Sequence, residues 1–150
     1  MMTSTAQMLK VQTTEAPEFI DLTDDVISFV REQGVTEGVV VVFTKHTTAS
    51  IRINENESLL MQDMAEFLEE LASCDEDYRH NDFSIRTENM TENECPNGHA
   101  HCQALGLGTS EMVPIIGGEL QLGRWQRVFL IELDHPQQRE VIVQVLGGGI

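Results

Sequence analysis

Lysine is nearly missing from this chain. Lys10 and Lys45 stand alone, and with seven arginines they make 9 basic residues against 25 acidic ones, a formal net charge of −16 over 150 residues. Affinity for nucleic-acid phosphates and for anionic lipid comes largely from Lys and Arg, so neither nucleic acid nor a membrane is expected as a partner. Long apolar runs are missing too. None approaches the roughly 20 residues that a membrane span requires. The segment Met1-Met2-Thr3-Ser4-Thr5 lacks a charged stretch followed by an apolar one, so a secretory signal is not expected and the cytoplasm is the anticipated address. Cysteine is scarce: Cys74, Cys95 and Cys102 are odd in number and form no C-x-x-C pair. That argues against a disulfide framework and for reduced thiols, read here as small buried fillers.

What remains is an ordinary globular composition, 41% hydrophobic, long enough for one domain with a real core. The acidity reads first as solubility. Thirteen of the acidic residues fall between Glu55 and Glu94. A cationic ligand is favoured near that part, and a phosphorylated one needs a metal or local arginines.

The richest text is His46-Thr47-Thr48-Ala49-Ser50, with Asn54-Glu55-Asn56 and Asp63 to follow. It closes a very apolar run, residues 39–43, whose four valines and phenylalanine do not alternate, so burial on both faces is expected. A buried strand ending in dense polar groups is a sound way to hold reactive side chains rigidly. Tyr78-Arg79-His80 and Asn97-Gly98-His99-Ala100-His101 add similar groups. The candidate catalytic residues are His46, Asp63 and His101. His46, His80 and His101 together could bind one divalent metal, Zn²⁺ or Mg²⁺, with a position open for water or a phosphate oxygen. Thr47, Thr48, Asn54, Ser110, Gln126 and Glu132 are the candidate substrate contacts. His99 and His101 lie about 200° apart on a helix, so only His101 is placed in the site.

Element by element, residues 7–14 read as a strand. Thr23 with Asp24 and Asp25 opens a helix that Gly34 stops. Strands follow over 38–45 and 50–54. Leu60, Met64, Phe67, Leu68 and Leu71 form one helical stripe, with Asp63 at its edge, about 60° from Leu60, and Asn56 as candidate N-cap. Residues 73–97 read as a long loop and 100–107 as a short helix. Strands close the chain over 112–116, 118–122, 127–133 and 140–146. The sum is a β-rich α+β domain, with two helices inserted early. Trp125 reads as core. Glu132, ending an apolar strand, is costly to bury unpaired and should meet an arginine or face the site.

Taken in order, His46 to Ser50, Asn54 to Asn56, Asp63, Tyr78 to His80, Ala100-His101, Gly108 to Ser110, Leu122-Gly123-Arg124-Trp125-Gln126 and Glu132 resemble the pattern of the YjbQ family, often called secondary thiamine-phosphate synthase. The likeness spans nearly all of residues 7–147. It implies an antiparallel β-sandwich with jelly-roll character and packed helices, assembled as a homotrimer. It also implies thiamine-phosphate synthase activity, joining hydroxymethylpyrimidine diphosphate to thiazole phosphate with loss of pyrophosphate. Two departures stand out: Arg124 where the family favours a small residue, and Asp134-His135-Pro136-Gln137-Gln138-Arg139 where it favours a D-G-P-R turn. A metal-dependent hydrolase or isomerase, and a non-enzymatic trimeric ligand-binding module, are the rival expectations.

Overall fold

The computed structural model describes residues 1–149, which fold into two antiparallel sheets and three helices. The order is β1 (Met2–Gln12), β2 (Glu18–Asp21), α1 (Thr23–Gln33), β3 (Glu37–Thr44), β4 (Ala49–Glu55) and α2 (Ser58–Leu71). A 3-10 turn (Arg79–Asn81) follows, then α3 (Gly98–Leu107), β5 (Ser110–Ile116), β6 (Glu119–Leu120), β7 (Gln126–Glu132) and β8 (Gln138–Gly148). One sheet runs β1-β8-β3-β5-β6, the other β2-β7-β4, and one of them curls into a half-barrel. The expected β-rich α+β sandwich is therefore present. The short helix read over 100–107 begins two residues earlier, at Gly98, and joins the two early helices; the first strand begins at Met2, and β2 was not foreseen. Among the described residues no helix is long and apolar enough to cross a membrane.

The main core lies between the sheets. Val40 and Val42 of β3, Val113 and Ile115 of β5, and Val141, Val143 and Val145 of β8 meet Ile51 of β4 and Val128 and Leu130 of β7. Helix α1 closes one edge with Val26, Phe29 and Val30, and Gly34 ends it at φ 63°, a conformation that costs a side-chained residue energy and glycine nothing. A second, smaller core forms on the other face of the three-stranded sheet. There Phe129, Ile131 and Leu133 pack against Leu68 of α2 and Ala100 and Ala104 of α3. Strand β7 is thus the one covered on both sides, because α2 and α3 lie over it.

Strand β3 is not. Val39, Val41 and Phe43 are only half-buried, and their neighbours across the ladders, Met112 and Pro114 of β5 and Ile142 and Leu146 of β8, share that outer face. Met112 is 61% exposed. The unbroken valine run therefore marks an apolar sheet surface that, among the described residues, nothing covers. Trp125 also departs from expectation: it is 60% exposed, with the Arg124 guanidinium 4.6 Å above its ring. The cysteines are not core fillers either. Cys74 and Cys102 are exposed and Cys95 is half-buried.

At one end the two sheets are tied by charge. Glu132 closes β7 and Arg139 opens β8, and both are almost wholly withdrawn from water. Arg139 donates from Nε to Glu132 Oε1 at 2.9 Å and from Nη2 to Oε2. The remaining lone pairs of Glu132 take Thr13 Oγ1 at 2.8 Å and the backbone N–H groups of Leu133 and Asp134. Arg139 Nη2 also reaches Thr48 Oγ1 at 2.9 Å and the Thr48 carbonyl. Glu132 thus meets the arginine that its burial demands, and it is structural rather than a substrate contact.

Removing one member of such a pair leaves a bare charge in the interior, which costs about 3–5 kcal/mol. Arg139→Met should lower the unfolding free energy by that order in urea titrations read by circular dichroism. A loss below about 1 kcal/mol would show the pair to be dispensable.

Candidate functional site

Beside that buried pair, the loop between β3 and β4 faces the first turn of α3 and the 3-10 turn. Thr47, Thr48, His80, Arg86, Asn89, Glu94, Asn97 and His101 line a cavity of about 360 Å³ there. Its geometry begins with glycine. A Cβ on Gly98 would sit 2.5 Å from Tyr78 Cβ, so only glycine lets α3 start against this turn. Asn81 Oδ1 accepts the Gly98 N–H at 2.9 Å, and Gln103 Nε2 donates to the Leu68 and Ala72 carbonyls, pinning α3 to the end of α2. These contacts bring His80 and His101 together, with ring centroids 4.6 Å apart and planes at 75°.

Burial, with the nearby His80 adding to it, pushes the His101 imidazole below the ordinary histidine value, against a contact from the Thr47 backbone and the charge of Asp134. It is therefore held neutral. Arg86 organises the loop beyond. Its guanidinium pairs with Glu94 at 2.9 Å and donates to the Asn89 and Glu88 carbonyls at 2.8 and 3.2 Å. Its charge is largely spent inside the loop. Asn97 donates from Nδ2 to Asp134 Oδ2 at 2.9 Å, while its Oδ1 is buried without a partner.

The predicted site residues do not all meet here. His80, His101, Thr47 and Thr48 do. His46 is half-buried next door, but its Nε2 accepts the Glu140 backbone N–H at 3.0 Å. That bond uses the lone pair a metal would need and fixes the other nitrogen as the protonated one. Burial and then the Arg139 charge depress its basicity. His46 is a clasp between the β3–β4 loop and β8, and the three-histidine metal set does not form. Asp63 stands exposed on α2, away from the cavity, and Ser110 is exposed at the start of β5. Asn54 lines a separate apolar groove between α2 and β4. Gln126 folds back to accept the Gly123 N–H. His99, left out of the site by its helical angle, indeed does not line it.

Sequence reasoning missed Arg86, Asn89 and Glu94, and noted Asn97 only as part of a polar stretch. Arg86 carried a signal: an arginine amid many carboxylates in a polar stretch is a natural loop organiser.

Compared with known proteins, the chain matches the profile described as UPF0047 protein YjbQ-like over residues 7–148. A UPF0047 protein of Methanothermobacter thermautotrophicus is 38% identical over 141 residues, 94% of this chain and 91% of that protein. The chain belongs to the YjbQ family. Among solved structures, a YbjQ-like protein of unknown function from Sulfolobus solfataricus superposes with a TM-score of 0.88 at 33% identity, covering 98% of this chain and 99% of that one. A hypothetical protein from Aeropyrum pernix gives 0.84, also at 33% identity, covering 95% and 98%.

The YjbQ motif residues divide between the two ends of β4. His46 to Thr48 lead into its start, beside the histidine cavity. Asn56 and Trp125 lie past its far end, where Asp21, Glu55, Arg124 and Arg127 line a second cleft of about 430 Å³. Six residue steps of extended chain separate these ends by about 20 Å. In the far cleft Asp21 holds Arg127 at 2.7 Å and Asn56 at 2.9 Å. Asn56 is thus not the cap of α2. Glu57 takes that place, accepting from the Leu60 N–H.

His46 and His101 are both neutral in the fold and more basic once unfolded. Their contribution is complete above the free-histidine value of about 6.5 and is lost as pH falls through their lower folded values. Wild-type stability should drop as the pH falls below about 6.5, and a His46→Gln, His101→Gln double variant should drop less. Parallel urea midpoints for the two proteins would contradict this.

Proposed function

We propose that the chain binds a small phosphorylated substrate in the His80–His101 cavity and acts on it as a thiamine-phosphate synthase would. The observation that carries the reading is the paired imidazoles 4.6 Å apart beside the Thr47 and Thr48 hydroxyls, at the start of α3. A helix N-terminus favours anions, and neutral N–H and O–H donors bind phosphate oxygens without the cost of burying more charge. The cavity volume lies within the range of small-molecule sites.

In the proposed reaction the thiazole nitrogen attacks the pyrimidine methylene and pyrophosphate leaves. The protein must hold the two reactants in line and stabilise charge growing on the leaving oxygens. His80 donates a hydrogen bond to those oxygens, and His101, whose single N–H as a neutral imidazole is engaged by the Thr47 backbone, packs against it. Thr48 is well placed for the same task. Its Oγ1 already accepts from Arg139, which leaves its hydrogen free to donate. Mg²⁺ arriving with the diphosphate offsets its charge against the acidic surface.

The working form is a homotrimer in this reading, supported by the uncovered apolar face of Val39, Val41, Phe43, Met112 and Ile142. Such a face is the kind that obligate assemblies bury.

Purified protein given both precursors and Mg²⁺ should release pyrophosphate and form thiamine phosphate. His101→Ala and His80→Ala should each slow it by about a hundredfold or more while keeping the wild-type circular dichroism. No thiamine phosphate from the wild type would remove the activity. In sedimentation velocity the wild type should run as three chains and Val41→Lys as one. A wild-type monomer would remove the trimer.

A further inference from the structure

On the far side of Asn97 from the histidine cavity, three side chains of different chemistry meet. Cys95 Sγ lies 3.6 Å from Asp134 Oδ1 and 3.6 Å from His135 Nδ1, and those two atoms are 3.0 Å apart. Neither the proposed reaction nor the family motifs employ Cys95 or His135. We propose that Cys95, Asp134 and His135 form a three-ligand site for a tetrahedral divalent cation, zinc foremost, with the fourth position open to water.

The geometry is the first argument. With Zn–S near 2.3 Å and Zn–N and Zn–O near 2.0 Å, tetrahedral angles put sulfur about 3.5 Å from each light ligand and the light ligands about 3.3 Å apart. The observed triangle is within about 0.3 Å of that on every side, so a cation can enter with side-chain adjustments smaller than a bond length. A mixed thiolate, imidazole and carboxylate set selects zinc over the harder Mg²⁺, which takes oxygen ligands.

The second argument is the support behind the ligands. Asp134 points Oδ2 at the Asn97 amide, 2.9 Å away, which leaves Oδ1 to face Cys95 and His135. A carboxylate oriented through its outer oxygen is the usual arrangement behind a metal ligand. The Asp134 side chain is only 7% exposed, whereas that of His135 is 51% exposed. The site therefore has a rigid inner ligand and an outer one that can swing aside to admit the ion. Burial and the Asp134 charge raise the Cys95 thiol, so the cation-free site is protonated there. Loading displaces that proton to solvent as the S–metal bond forms and ends the direct Asp134–His135 contact. Affinity accordingly rises with pH.

Position adds a consequence. Asn97 touches Asp134 on one side and lines the histidine cavity on the other. A cation fixes Asp134, hence the Asn97 amide, hence one wall of that cavity.

The test is a Co²⁺ titration of chelator-treated full-length protein, followed by absorbance. One equivalent should bind with a thiolate-to-cobalt charge-transfer band and tetrahedral d–d bands, and Zn²⁺ should displace it. Cys95→Ala should abolish the charge-transfer band. His135→Ala, at an exposed position where the fold tolerates change, should weaken binding at least about tenfold, and Asn97→Ala by about 10–100-fold. Cys74→Ala and His101→Ala should leave the band intact. No thiolate band in the wild type, a band that survives Cys95→Ala, or one lost in Cys74→Ala would each overturn the proposal. These readouts are independent of any catalytic activity.

Discussion

A carboxylate and a guanidinium buried together hold this molecule's two sheets in place. Glu132 ends a strand of the three-stranded sheet and Arg139 begins one of the five-stranded sheet. An isolated charge at either position would be far too costly to bury, so the end of β7 and the start of β8 must arrive together. Their spare bonding capacity then recruits Thr13 from the end of β1 and Thr48 from the β3–β4 loop. Four separate segments converge on one charge pair. Because Thr48 is both a partner of Arg139 and a wall of the histidine cavity, the structural node and the candidate site share a residue.

That sharing explains why His46 and His101 have different fates. His46 sits on the side of the loop facing Arg139 and β8, where the Glu140 amide needs an acceptor and the imidazole supplies it. His101 sits across from Thr47, on a helix whose start is set by Gly98 and Asn81. One histidine satisfies the backbone; the other stacks edge-on against His80 at the cavity wall. The nearby Arg139 charge disfavours a second cation on His46, which suits a structural role better than proton transfer.

Much of the fold was legible in the residues. The Gly34 stop, the α2 helix and the late strands follow from periodicity and turn chemistry, though of the α2 stripe only Leu68 is buried while Phe67 and Leu71 stay exposed. The need of Glu132 for an arginine follows from desolvation alone. Other features depend on neighbours that periodicity does not reveal. The valine run of β3 looks the same whether its outer face meets a helix or lies bare. Strand β7 is buried on both faces because α2 and α3 fold back over it, a tertiary decision. Trp125 lies outside the core because the strand it precedes begins only at Gln126.

The site was half legible. Dense polar text around His46, His80 and His101 located the right end of the molecule. The same text at Asn54–Asn56 and Gln126 belongs to the other end of β4, since an extended strand separates what the sequence places nearby. The roles of Arg86 and Asn97 rest on partners, Glu94 and Asp134, that only folding supplies.

Histidine nitrogen spectra of the isotopically labelled protein, recorded as pyrophosphate is added, bear most directly on the claim that the framework takes His46 and leaves His80 and His101 to the ligand. The account predicts that His46 keeps an unprotonated Nε2 throughout while the His80 and His101 signals move together and saturate. Signals of His46 that shift as far as theirs, or a His80–His101 pair that ignores the anion, would contradict it.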